Sequence, residues 1–375
     1  MAMVAGEASG DLLASLLLRG LRQQGLECNA AGVGGPHMVA EQFDAWFPSS
    51  QLSVRGYVEV LKHYRSLVRL RKNLGDTWLG DRPDVFVGVD APDFNLALAK
   101  RLRERHIKCV HFVCPSIWAW RPERVALIRE AVDHVLCIFP FEVELLARHG
   151  ISATYVGHPI AQMLPMEPDR LAARLHLGVA AHGEPLVALL PGSRSSEIEH
   201  LLPRFLAAAQ YMLQAKPDLQ FVLPAVPTLT DRINQLIAMH GAALPLKVVE
   251  GHSHACMAAA DVVLVASGTA TLEVAMSKRP MVIAYHMARL SWWIHQSKRL
   301  QPWVGLPNIL AERFLVPELL QDQATPENLA KETLAWFDSP ERVRALVAEF
   351  GEMHQQLNAD TAAISARAIH GVLRG

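Results

Sequence analysis

Acids, hydroxyls and one arginine recur in this sequence at the ends of short apolar runs, where a buried strand gives way to a helix. Gly6-Glu7-Ala8-Ser9-Gly10-Asp11 is the first such turn. Its small residues let a ligand approach the backbone, and Ser9 and Asp11 are expected to cap the helix that follows. Helix N-termini favour anions, but Glu7 and Asp11 crowd negative charge into this one, so a sugar contact through Glu7 or Ser9 suits it better than a phosphate. Val87-Gly88-Val89-Asp90 places a carboxylate at the carboxyl end of a second apolar run. There it could deprotonate an attacking hydroxyl, or serve only in capping and structural hydrogen bonding. Asp93 is expected to be the N-cap of the helix that begins at Phe94.

Leu190-Pro191-Gly192-Ser193-Arg194 repeats the device with a cation. Gly192 and Ser193 free the backbone amides, and Arg194 adds a planar fork of donors for a phosphate. The alternative is an arginine paired with Glu197 or Glu199 on the next helix. The turn lacks the lysine of a P-loop, which disfavours nucleotide hydrolysis. Ala266-Ser267-Gly268-Thr269-Ala270 closes another buried run, and its amides could hold a diphosphate. Glu273 follows on the helix, within reach of ribose hydroxyls or as a capping acid. Trp118 and Trp120 alternate across a turn, so that one packs inward and the other could face a ligand. His158, beside Pro159, is a second-rank ligand contact, since a lone histidine more often satisfies structure.

The elements that must position these groups are legible in the hydrophobic pattern. Val- and Ile-rich runs alternate with amphipathic stretches of helical period, as in a parallel sheet covered on both faces. Strands are expected at 3–5, 30–32, 85–89, 109–114, 134–138 and 154–156, then at 186–190, 221–223, 247–249, 262–266 and 281–285. Helices are expected over 11–24 and 94–104, and the last fifty residues read as helices over 326–337, 340–357 and 361–373. The fold class is therefore α/β, with two doubly wound units facing a cleft at the carboxyl ends of their strands. Pro159, Pro165 and Pro168 suit a linker, which sets a first domain at 1–164 and a second from 165.

A chain of 375 residues with net charge -1 carries no overall attraction for nucleic acid, and its length favours two domains. Five scattered cysteines, Cys28, Cys109, Cys114, Cys137 and Cys256, read as buried thiols of a reducing compartment, with no metal-ligand spacing among them. The N-terminus opens on a strand rather than a signal peptide. The apolar stretch 254–276 carries Asp261 and Glu273 and reads as helix, strand, turn and helix rather than a membrane span. Two segments differ from an ordinary soluble surface. Tyr57 to Lys72 reads as a basic amphipathic helix, and Trp292, Trp293, Lys298, Arg299 and Trp303 combine aromatics with cations; core-facing helices would explain either segment, a membrane surface both together.

Taken in order, 5–11, 88–95, 116–121, 156–159, 190–194, 267–273 and 306–308 look like the motifs of the lipid-A-disaccharide synthase family, a resemblance that spans Ala5 to Asn308. The resemblance implies a GT-B architecture with C-terminal helices, 341–375, packing back on the N-terminal domain, and a donor domain over 165–340. It also implies the reaction. UDP-2,3-diacylglucosamine gives its sugar to the 6-hydroxyl of 2,3-diacylglucosamine 1-phosphate (lipid X), with inversion, to yield the β(1→6) disaccharide and UDP. By resemblance Asp90 becomes the favoured base and Glu7 a second essential acid. Gly192, Ser193, Arg194 and Ser267, Gly268, Thr269 and Ala270 hold the UDP diphosphate, Glu273 binds ribose, and Asn308 contacts nucleotide or sugar. Ser9, Asp11, Trp118 and His158 remain acceptor or cleft candidates. No Asp-x-Asp motif is evident, so neither metal nor cofactor is expected, helix N-termini and arginine taking the place of a divalent ion. Acylated substrates give the Tyr57 and Trp292 segments a purpose, peripheral attachment to the cytoplasmic face of the inner membrane; a homodimer is compatible with all of this.

Overall fold

The computed structural model describes residues 1–52, 57–119, 121–180, 183–287 and 300–374, without the side chains of 57–64. Trp120, Trp292, Trp293, Lys298 and Arg299 lie outside the described residues. One sheet contains β1 (Ala2–Ala5), β2 (Ala31–Gly34), β3 (Asp44–Pro48), β4 (Val85–Val89), β5 (Lys108–Phe112), β6 (His134–Cys137) and β7 (Ala153–Tyr155), ordered β3-β2-β1-β4-β5-β6-β7. The other contains β8 (Leu186–Leu190), β9 (Gln220–Ala225), β10 (Leu246–Glu250), β11 (Val262–Ala266), β12 (Met281–Tyr285) and β13 (Glu318–Leu320), ordered β10-β9-β8-β11-β12-β13. The pairings of both sheets are parallel. β4, β8 and β11 are buried from end to end, which runs of Val, Leu, Ala and Phe without polar alternation allow only if helices cover both faces. Each crossover accordingly carries a helix.

In both sheets the chain winds outward from its first strand, then returns to the other side of it. The order therefore reverses between β1 and β4 and again between β8 and β11. Helices that start beside such a reversal diverge to opposite faces and leave a crevice at the carboxyl ends. Glu7 and Asp90 follow β1 and β4, while Arg194 and the Ser267 turn follow β8 and β11, so the sequence-predicted groups sit at the two reversals.

Residues Met1–Pro159 together with Gln356–Gly375 form one compact unit, and Ile160–Gln355 form another. The chain re-enters the first unit inside the helix Pro340–Leu357. The final helix, Thr361–Arg374, lies on α1 (Ala8–Gln23), where the Gln24 side-chain amide donates to the Ala363 carbonyl at 2.9 Å.

Several local expectations change. β3 and β13 were not expected; β3 is largely exposed and β13 is three residues long. β5 stops at Phe112 rather than Cys114 because Val113 takes φ +78° and turns the chain. Asp93 is not an N-cap. The helix α4 (Pro92–Arg103) starts at Pro92, and Asp93 instead accepts from Arg124 at 2.5 Å. Cys28 is exposed, unlike the four other cysteines, all five being free thiols.

Asp11 does not cap its own helix either, since α1 begins at Ala8. It is 1% exposed, and its two oxygens accept from the backbone amides of Gly35 (2.8 Å), His37 (2.9 Å) and Met38 (3.1 Å). It thus caps the short helix α2 (Pro36–Ala40), whose first amides have no partners within that helix. Asp11→Ala leaves those amides unpaired and should lower the unfolding free energy by about 2–3 kcal/mol. Urea denaturation measures this, and a loss below about 0.5 kcal/mol, the scale of ordinary surface substitutions, would remove Asp11 from the framework.

Candidate active site

At the β1/β4 reversal the backbone comes close enough that only glycine fits. A Cβ on Gly6 would stand 2.7 Å from the Ala91 Cβ. The two strand exits can therefore close on each other, carrying Glu7 and Asp90 with them. Glu7 occupies the N-cap position of α1 with extended backbone (φ -143°) and makes no capping bond from its side chain. Asp90 and Ala91 both adopt left-handed conformations, φ +53° and +41°, a bend that lifts Asp90 out of the sheet while its amide donates to the Phe112 carbonyl at 2.9 Å. Both acids are half-buried. Ser9 is exposed on the first turn of α1, whereas Asp11 is held in the scaffold as described.

Further along the same edge, Trp118 packs edge-on against Phe141 with ring centroids 5.4 Å apart, and His158 lies against Phe139 at 5.5 Å. Their organiser is a residue that the sequence reading passed over. Glu142, 1% exposed, accepts from the Trp118 indole Nε1 at 3.0 Å and from the Phe139 amide at 3.1 Å. Burial pushes its carboxyl up to about 8 against the pull of those donors. Burial likewise pushes His158 down to about 4, so its ring is a neutral contact near neutral pH. The available signal was Pro140-Phe141-Glu142, an acid after a strand end like those of Glu7 and Asp90.

In the second unit, a cavity of about 560 Å³ opens at the carboxyl ends of β8, β9 and β11. Gly192, Ser193, Arg194, Glu197, Ser267, Gly268, Thr269, Ala270 and Glu273 line it, with Pro224, Ala225, Val226 and Met257 supplying apolar wall. The sequence reading had not assigned the apolar part; it lies on the β9 exit and on Met257 of the helix Ser253–Ala259, neither of them in one of the polar turns singled out from the sequence. Arg194 takes the paired alternative: its Nη1 meets Glu197 Oε1 at 2.9 Å. The Glu197 carboxylate also accepts from the amides of Ser193 (3.0 Å) and Arg194 (3.3 Å), so those amides are engaged. The Ser267 amide donates to the Ala284 carbonyl at 2.9 Å as part of the sheet. Gly268, Thr269 and Ala270 remain as the stretch of that turn lining the cavity at the head of the helix Ala270–Met276.

Glu273 is held from the side by His254, whose Nε2 lies 3.1 Å from Oε2; this bond raises the His254 pKa above its ordinary 6.5 despite partial burial. Asn308 corrects an expectation. It is fully buried, its Nδ2 donates to the Val316 carbonyl and to Glu318 Oε1 (both 2.9 Å), and its Oδ1 accepts from Leu315 (2.8 Å) and Val316 (3.0 Å). Every hydrogen-bonding position of its amide is thus used inside the fold, with none left for a nucleotide or sugar. Among the described residues there is no group of three or more His, Cys, Asp or Glu able to hold a metal ion.

Comparison with known proteins places this geometry. A family profile described as lipid-A-disaccharide synthetase matches residues 1–369. A lipid-A-disaccharide synthase of Albidiferax ferrireducens is 55% identical over 380 residues, covering 100% of this chain and 97% of the relative. One of Chromobacterium violaceum is 48% identical over 376 residues, with coverage of 100% and 97%. Among solved structures, the UDP-GlcNAc 2-epimerase of Neisseria meningitidis superposes with a TM-score of 0.64 at 10% identity, covering 100% of this chain and 99% of that one. The glycotransferase of kitacinnamycin superposes at 0.62 with 16% identity, covering 100% and 98%. At such identities the structural likeness carries the fold alone.

The Glu142 cluster generates a pH test. A carboxyl whose folded pKa is raised binds a proton in the native state that the unfolded chain releases. Stability should therefore fall as pH rises from about 4.5 towards about 8. Glu142→Gln should flatten that slope in denaturation curves between pH 5 and 8, and should remove a Trp118 fluorescence change in the same range. An unchanged slope in the variant would assign the pH dependence elsewhere.

Proposed function

Because the chain belongs to the lipid-A-disaccharide synthase family, we propose that it joins UDP-2,3-diacylglucosamine to lipid X through the acids at the β1/β4 reversal and the cavity at the β8/β11 reversal. It is a glycosyltransferase of GT-B architecture. The observation that carries the assignment of roles is the separation of charge between the two reversals. Acids stand at one, and an arginine with a small-residue turn at a helix start stands at the other.

Asp90 takes the proton of the acceptor 6-hydroxyl as that oxygen forms its bond to the anomeric carbon. The bond from the anomeric carbon to the UDP oxygen breaks on the opposite face, which converts the α-linked donor into a β product. The electron pair leaves with the diphosphate, whose charge is met by the Arg194 guanidinium and the amides of Gly268 to Ala270. Since Glu197 engages the amides of Ser193 and Arg194, the guanidinium must turn from Glu197 to the phosphate when the donor binds. Glu273, steadied by His254, receives the ribose hydroxyls, while uracil lies against the apolar wall. Glu7 and Ser9 face the acceptor sugar, and Trp118 and His158 contribute wall beside it. Asn308 holds the loop before β13 through Glu318 and does not touch substrate.

Attachment to the membrane surface rests on the helix Tyr57–Asp81. Arg65, Arg69 and Lys72 are exposed there beside the exposed Val68, the composition of an interfacial helix. Trp303, packed on the exposed Phe314 at 6.3 Å, is the described end of the second aromatic segment. No described helix is long and apolar enough to cross a membrane.

Purified protein given UDP-2,3-diacylglucosamine and lipid X should release UDP. Asp90→Asn should reduce turnover at least about a hundredfold with the UDP dissociation constant unchanged, while Arg194→Ala should weaken UDP binding by roughly tenfold or more. Absence of UDP release beside an active control would overturn the assignment, and an active Asp90→Asn enzyme would overturn the base. In flotation with vesicles containing anionic lipid, the protein should rise with the vesicles, and Arg65→Glu with Arg69→Glu should leave it behind. Equal flotation of wild type and variant would dismiss the helix as the attachment surface.

A further inference from the structure

Beneath the two acids lies a buried amide with no part in the roles assigned so far. Asn95, the fourth residue of α4, is fully buried. Its Nδ2 points at three main-chain carbonyls at once, those of Asp90 (2.8 Å), Val89 (3.3 Å) and Val4 (3.4 Å). Val89 ends β4, and Val4 lies in the neighbouring β1, one residue before its end. One side chain thus ties together the exits of the two strands that lead to Glu7 and Asp90.

The sheet is adapted to admit it. A Cβ on Gly88 would stand 2.8 Å from the Asn95 Cβ, so β4 gives up a side chain where Asn95 seats. The other end of the amide is left unserved, since Asn95 Oδ1 is buried without a hydrogen-bond partner among the described residues. A leucine would fill similar space and leave no orphaned oxygen, so packing alone does not account for asparagine here. What the amide supplies and leucine cannot is a donor for the Asp90 carbonyl. That carbonyl belongs to a residue in the left-handed region, followed by a second such residue. Without a partner this bend competes with extended backbone that would carry the Asp90 carboxylate elsewhere.

We propose that Asn95 is a positioning residue, its amide clamping the ends of β1 and β4 so as to fix the Asp90 carboxylate relative to Glu7 and to the acceptor hydroxyl. The inference rests on Asp90 being the base. Displacing a base by a fraction of its bonding distance lowers the rate of the chemical step and leaves the remote donor contacts alone. Asn95→Ala is therefore expected to lower kcat about tenfold to a hundredfold, with KM for the donor and UDP affinity unchanged. It should also shift the acidic limb of the kcat–pH profile, because the Asp90 surroundings change. Asn95→Ser retains one donor and should fall between wild type and Ala; it also covers the case in which Ala does not fold.

Three measurements on protein confirmed as folded by thermal melting decide the matter, with Asp90→Asn run alongside. Loss of kcat without change in KM, graded from Ser to Ala with a shifted pH limb, supports positioning. If Asp90→Asn is inactive but the Asn95 variants keep wild-type kcat and profile and lose only melting temperature, Asn95 is structural and the inference fails while the base stands. If Asp90→Asn retains turnover, the base assignment fails and takes the inference with it.

Discussion

Every pairing described in the two sheets is parallel, and their central strands are buried on both faces, so charged side chains have no place along those strands and collect at their ends. That constraint governs the molecule. Crossover helices must leave from the carboxyl ends, and where the strand order reverses they part to either side of the sheet. The reversal at β1/β4 and the one at β8/β11 then become the natural positions for polar groups that are neither buried nor fully exposed. What distinguishes the two is the residue chemistry of four short turns, acidic in one unit and small or cationic in the other.

The fold uses carboxylates in two different ways. Asp11, Glu142 and Glu318 accept from backbone amides or from a buried side chain and hold loops in place. Glu7 and Asp90 sit half-buried on turns whose backbone geometry, a glycine contact in one case and a left-handed bend in the other, sets their direction. Glu197 belongs to neither group. It engages the Arg194 guanidinium and the adjacent amides, an arrangement in which an internal carboxylate meets the donors that suit a phosphate. A cationic turn preloaded with an internal anion remains organised between ligands, at the expense of some affinity.

Much of this was legible in the sequence. Val85 to Val89, Leu186 to Leu190, Val262 to Ala266 and Met281 to Tyr285 were read to the residue because five-residue apolar runs bounded by polar turns are too short for a helix and fit a buried strand. β3 escaped because Asp44-Ala-Trp-Phe-Pro48 is an exposed edge strand whose apolar run is only three residues long. The turns proposed to carry the site stand out by their composition, whereas the bonding of individual side chains does not. Asp11 reaches Gly35, and Glu142 reaches Trp118 across twenty-four residues, contacts that depend on tertiary placement and leave no periodic trace. The internal bonds of Asn308 leave no trace for the same reason, since a polar residue on a motif looks identical whether it faces a ligand or a buried loop.

The division of the chain has a consequence for how the protein is made. The unit spanning Ile160 to Gln355 is continuous, whereas the unit bearing Glu7 and Asp90 is completed only by residues after Gln355. Domains generally fold as the chain emerges, N-terminal first. Here the order is inverted. The second unit has its whole sequence available while the first still lacks the helix Thr361–Arg374 that lies on α1, because that helix follows the second unit in the chain. The face of α1 that meets Thr361–Arg374 is therefore uncovered until the whole second unit has been made, and a lesion in Gln356–Gly375 is felt at α1, more than three hundred residues earlier in the sequence.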